Sequence, residues 1–175
     1  GGLWAPDPQF APVVRLFRSH AIARLGVASQ PRVPTLVHAI KTNRRLVSNR
    51  PELLGWLEAF SSARSLHFAE LDFGRPLADQ VALLISARLL VASAGSCQMA
   101  GAFLRAGAGL LVLPQCMTVV GRRVLCQSEE LLAASGLRWA EYPVGWGDAV
   151  YDMDRGFSII VRREVLERLL EGLLA

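Results

Sequence analysis

Cysteine is scarce: Cys97, Cys116 and Cys126 are the three in 175 residues. None sits in a CxxC or Cys/His spacing, which argues against a zinc site, and an odd number leaves at least one thiol outside any internal disulfide. The chain opens on Gly1 rather than Met and shows no signal or transit segment, so a processed, excised or partial chain is expected. Long hydrophobic runs are missing, because Arg88 and Arg105 interrupt the two best candidates before either reaches the roughly 18 residues of a membrane span. Charge is sparse at 19%, with a surplus of only +4. The basic residues are scattered (Arg15, Arg18, Arg24) or paired (Arg44-Arg45, Arg122-Arg123, Arg162-Arg163). With no basic run interleaved with aromatics, no nucleic-acid partner is expected; the surplus equally suits a pocket for a phosphorylated ligand. Catalytic signatures are missing as well. There is no Ser/His/Asp order, no GxSxG elbow, no Walker loop and no complete GxGxxG. Gly107 and Gly109 follow a helical segment and read as its cap.

What the chain does have is apolar mass: 52% of its residues are hydrophobic, enough for a large interior in one α/β domain. The stretch Leu71–Pro114 carries the clearest pattern. An amphipathic segment (Leu77–Ser86) leads to an apolar run (Leu89–Ala92), a small-residue turn (Ser93–Ser96), a second helical segment to Ala106 and a second run (Leu110–Leu113). Buried strands separated by a helix form a βαβ unit, and such units build parallel sheets. Upstream, Gln9–Leu25 reads as a helix with Phe10, Val13, Val14, Phe17, Ile22 and Leu25 on its apolar side, stopped by Gly26. Thr35–Ile40 reads as a buried strand. A helix opened by Pro51 then carries Leu53, Leu54, Trp56, Leu57 and Phe60 inward. Ser65–Leu71 alternates like a half-exposed strand. Downstream, Met117–Cys126 reads as a hairpin arm or an irregular strand, Glu129–Ser135 as a helix ended by Gly136, Arg138–Val144 as a last strand, Gly145–Asp148 as a turn and Arg163–Leu174 as a terminal helix. The expectation is a Rossmann-like parallel sheet of four or more strands with helices on both faces.

Two segments stand where ligands of open α/β sheets gather, at the carboxyl ends of strands. Lys41, Arg44, Arg45 and Asn49 lie in the loop after the first strand. There a cation can neutralise a pyrophosphate and an amide can bond a sugar hydroxyl, although a solvated basic loop has the same composition. In the turn Ser93-Ala94-Gly95-Ser96, small residues let a ligand approach the backbone and the first N–H groups of the next helix point at it, which suits an anion such as phosphate. An ordinary tight connection would look alike. His38, inside an apolar run, reads as a hydrogen-bonded core histidine. His20 and His67 have nothing recognisable around them, and Glu70 and Asp72 read as helix caps rather than substrate contacts. Trp139, Tyr142 and Trp146 read as core, or as the wall of a pocket.

Several of these pieces follow a familiar order. Arg45-Leu46-Val47-Ser48-Asn49-Arg50-Pro51-Glu52-Leu53-Leu54 resembles the R-x-x-x-N-x-x-x-L stretch of glycosyltransferase family 61. Phe73 with Ala78-Asp79-Gln80-Val81 looks like that family's F-x-x-Q-v element, and Ala87–Ser96 resembles the strand leading into its H-G-A-G-L-T-N turn. Leu137–Val144 is similar to its late l-x-Y-x-x-y segment. The resemblance runs from about Phe10 to the C-terminal helix. It implies the C-terminal, donor-binding half of a GT-B type enzyme, working in the lumen of the secretory pathway (Golgi or endoplasmic reticulum) behind an N-terminal domain. It also implies a UDP-sugar as donor, a protein or glycan as acceptor, and no metal or other cofactor. On this reading Lys41 and Arg45 face the diphosphate, the backbone of Gly95, Ser96 and Cys97 caps it, and Asn49 orients the loop or a donor hydroxyl. Lys41 stands where the family places an arginine, Ala94 where it places a histidine, and Ala100 where it places an asparagine. The alternative is a catalytically inactive α/β binding or assembly module derived from such a transferase. A dehydrogenase-type cofactor enzyme is disfavoured by the absent glycine fingerprint.

Overall fold

The computed structural model describes residues 10–27, 33–39, 47–113, 136–152 and 156–175. Four α-helices are present among them: α1 (Phe10–Arg24), α2 (Arg50–Ser62), α3 (Leu77–Ser86) and α4 (Arg163–Leu174). The strands are β1 (Thr35–Ala39), β2 (His67–Leu71), β3 (Ala87–Ser93), β4 (Gly109–Leu113), β5 (Arg138–Glu141), β6 (Ala149–Asp152) and β7 (Gly156–Ile159). Strands β1 to β5 form one sheet in the order β2-β1-β3-β4-β5, and every pairing in it is parallel. This is the doubly wound α/β arrangement that the alternation of apolar runs and helices implies.

Burial explains why the strands look as they do. β1, β3 and β4 lie inside the sheet with a helix layer on each side, so both faces must be apolar, and their residues are buried throughout except Arg88. Successive side chains take opposite sides. Leu36, Leu89, Val91, Leu111 and Leu113 meet α2 and α4 through Leu53, Leu57, Phe60, Leu166, Leu170 and Leu173. Val37, Ala39, Leu90, Ala92, Leu110 and Val112 meet Leu84 of α3 and the segment Cys97–Leu104. The edge strands β2 and β5 are only partly covered.

α4 shows how close the layers come. Its three inward leucines, at 0–5% exposure, each contribute roughly 1.5–3 kcal/mol of burial. Beneath it β4 begins with a glycine: a Cβ on Gly109 would stand 2.5 Å from Leu89 Cδ2 and 2.9 Å from Leu173 Cβ. At the far end of α2, Arg64 lies 3.7 Å above the Phe60 ring and pairs with Glu171 of α4.

Four local expectations need correcting. The segment after Gly95 is a 3₁₀ helix, Ser96–Phe103, whose ends show i→i+3 bonds (Gln98 N to Gly95 O, 3.2 Å; Leu104 N to Gly101 O, 3.1 Å). α1 does stop at Gly26, which takes φ +67°, but its apolar side is only partly covered: Val14 is buried, whereas Val13, Leu16 and Phe17 are more than half exposed. It seats instead through Ile22 and Leu25 on Val81 and Ile85 of α3, with Arg18 donating to the Leu104 carbonyl. Ser65 belongs to a turn at φ +54°, so β2 starts at His67. The antiparallel pairing of β6 with β7 falls where the sequence pattern shows no strand. Within Met117–Ser135, the expected strand and helix lie outside the described residues.

Candidate functional site

The strand order reverses between β1 and β3, and the crevice at the carboxyl ends of these strands is where an open α/β sheet receives ligands. On the β3 side, Ala94 is buried and donates its N–H to Leu113 O at 2.9 Å, which fixes the turn against β4. Gly95 takes φ +97°, ψ −138°, a conformation that a side chain rarely permits. Its N–H donates to Oε1 of buried Gln98 at 3.1 Å. Gln98 thus holds the Gly95 amide, and Gly95 and Ser96 are exposed at the tip of the turn, followed by buried Cys97.

On the β1 side, Lys41, Arg44 and Arg45 lie outside the described residues. Asn49 is described. Its Nδ2 donates to Val161 O at 2.8 Å and its Oδ1 accepts from Val161 N at 2.9 Å, so the amide faces the chain entering α4 and provides no side-chain cap to α2. The same seam continues on both sides: Ser48 N donates to Ile159 O at 2.8 Å and Val47 bridges Ile159.

Beside this seam lies a cluster the sequence does not advertise. Tyr142, buried just past β5, accepts a bond from Arg162 N at 2.8 Å through its hydroxyl. Arg162 Nε donates to Asp148 Oδ1 at 2.7 Å, and Asp148 Oδ2 accepts from Gly145 N at 3.1 Å. Burial raises the Tyr142 phenol above its ordinary range, opposed by the Arg162 amide. These bonds hold the entry to α4; the arrangement is structural, and it places Tyr142 in the core rather than on a pocket wall. Trp139 is partly buried against the core on the α3 side.

His38 is buried as the apolar run implies, but its Nδ1 has no hydrogen-bond partner among the described residues. Burial, then the nearby Arg50 guanidinium, lowers its pKa from 6.5 to about 4, so the ring is neutral at pH 7. Glu70 and Asp72 do not cap α3. Glu70 pairs with Arg50 at 2.6 Å, and Asp72 Oδ1 accepts from Gly74 N at 2.8 Å. Among the described residues no group of three His, Cys, Asp or Glu could hold a metal, and no helix is long and apolar enough to cross a membrane. No protein-family model matches the chain, and no curated protein matches it.

Proposed function

We propose that this chain is the donor-binding half of a glycosyltransferase that moves a sugar from a UDP-sugar to a protein or glycan acceptor, with an additional N-terminal domain supplying the acceptor side and the secretory lumen as its site of action. The observation that supports this reading is the turn at Gly95: a glycine-dependent, small-residue connection between β3 and the 3₁₀ helix, at the point where the strand order reverses. In sequence, Lys41, Arg44 and Arg45 follow β1, the strand paired with β3. In this reading Lys41 and Arg45 neutralise the diphosphate, and the N–H groups opening the 3₁₀ helix at Ser96 donate to a phosphate oxygen. Donor binding uses the residues present; transfer needs groups this chain lacks. Ala94 and Ala100 are buried apolar residues where the resembling family carries a histidine and an asparagine. That substitution favours a second reading, an inactive binding module that keeps the nucleotide crevice without turnover.

Titration calorimetry with uridine diphosphate tests the proposal. Charge-assisted hydrogen bonds are worth about 1.5–3 kcal/mol, so Arg45→Ala weakens binding roughly 10- to 100-fold. Arg88→Ala, exposed at the amino end of β3 and therefore on the opposite edge of the sheet, leaves it unchanged. Equal losses in both variants mean diffuse charge attraction, and no binding at all rejects the nucleotide site.

A further inference from the structure

Two polar atoms buried beside the amino end of α2 have no partner among the described residues: Nδ1 of His38 and Nε of Arg50. His38 shares with Leu36 the face of β1 that α2 covers. Directly across in register on β2 is Glu70, whose Oε2 accepts from the Arg50 guanidinium at 2.6 Å. An imidazole, a carboxylate and a guanidinium therefore meet at the carboxyl ends of β1 and β2. The residue placed to cap α2, Asn49, is turned away to Val161.

Charge decides the class of ligand. Glu70 cancels Arg50, Glu52 adds a negative charge in the first turn of α2, and the His38 ring is neutral, so the cluster offers an anion no net attraction. Among the described residues, one nitrogen of a neutral imidazole and one guanidinium N–H are left without a partner. A hydroxyl both donates and accepts, so two hydroxyls on adjacent carbons can satisfy both atoms while reaching the second oxygen of Glu70. Leaving the two atoms unpaired would cost each its desolvation penalty. We infer that His38, Arg50 and Glu70 form a recognition site for a vicinal hydroxyl pair of a sugar, carried either by the ribose of a nucleotide or by a sugar ring. The inference rests on the donor-binding reading and extends it by naming which part of the ligand enters beside α2.

The test uses the whole chain with three probes: uridine diphosphate, its 2′,3′-dideoxy analogue and free xylose. Binding is measured by calorimetry, and the His38 ring nitrogens are followed by nuclear magnetic resonance. The expected result is about tenfold weaker binding of the dideoxy analogue, with the His38 ring signals moving on addition of the uridine diphosphate. In His38→Leu the two nucleotides bind alike, and His38→Asn, which keeps a polar atom near the Nδ1 position, recovers part of the difference. Movement of the ring by xylose, without discrimination between the nucleotides, assigns the hydroxyls to a sugar ring instead of the ribose and supports the site. Xylose moving the ring where the nucleotide fails to bind also supports the site and rejects the nucleotide reading alone. Nucleotides that bind alike to the unaltered chain, with the ring unmoved by xylose, overturn the inference and leave donor binding standing. A ring that none of the three probes moves overturns it too.

Discussion

The side-chain amide of Asn49 and the backbone of Val161, 112 positions apart, form a closed pair of hydrogen bonds at 2.8 and 2.9 Å. The pair joins the residue before α2 to the approach to α4, and these two helices cover the same face of the sheet. Asn49→Ala removes both bonds and strands a backbone N–H and C=O of a residue that is 1% exposed. The expected loss is about 2 kcal/mol of unfolding free energy, measured by urea titration. Asn49→Asp, which keeps the acceptor and loses the donor, should fall between. A loss under about 0.5 kcal/mol for the alanine variant would show that the seam does not depend on this amide.

His38 makes stability depend on pH. Its folded pKa, about 4, is depressed below the ordinary 6.5, so the unfolded chain binds the proton more readily. The stabilisation is complete above about pH 6.5 and declines as the pH falls toward 4. The full span corresponds to roughly 3 kcal/mol. Urea midpoints measured at pH 7 and pH 5 should separate further in the natural chain than in His38→Leu, and identical separations would remove the ring from the account.

Gly109→Ala forces a methyl group between Leu89 and Leu173. The leucine end can rotate away, but the Leu173 Cβ belongs to a packed helix, so α4 has to lift. Overpacking of this kind costs about 1–3 kcal/mol. Differential scanning calorimetry checks it, and a smaller residue at the other side, Leu173→Ala in the same chain, should not restore stability, because alanine keeps the Cβ that the new methyl meets and loses burial as well.

Gly95 separates strain from space. Nothing lies within 4 Å of a Cβ built there, so Gly95→Ala meets no neighbour, yet φ +97° penalises any side chain. A loss of about 1–3 kcal/mol is expected from backbone conformation alone, and weaker uridine diphosphate binding with it as the turn relaxes. Unchanged stability would mean that the turn readily adopts another conformation.

How much of this was legible in the sequence depends on how local its cause is. β1, β3 and β4 announce themselves as continuous apolar runs because both their faces are covered, and α4 does so through Leu166, Leu170 and Leu173 at helical spacing. The 3₁₀ helix is hidden: Ser96–Phe103 is composed of small and apolar residues that fit either helix type, and the tightening is set by Gly95 and Gln98. The hairpin was missed because each arm has four residues and no Asn-Gly or Asp-Gly turn joins them. Asn49 before a proline-opened helix reads as a ligand contact, and no local pattern reveals a partner 112 residues away. His38 could be read as buried, but only three dimensions bring Glu70 and Arg50 to it. The basic cluster from Lys41 to Arg45, legible as a loop, lies outside the described residues.

The placement of α4 over β3 and β4 has a consequence for the order in which the molecule can be completed. A ribosome releases residues 87–113 long before residues 163–174. Through that interval the side of the growing sheet bearing Leu89, Val91, Leu111 and Leu113 is missing much of its cover. At about 5–20 residues per second the delay between Leu113 and Leu173 is several seconds. A nascent chain halted near residue 160 should therefore bind chaperones and yield to protease, and one halted far enough beyond Leu174 for α4 to emerge should resist both. Translation speed across that last stretch then sets how long this apolar face waits for α4.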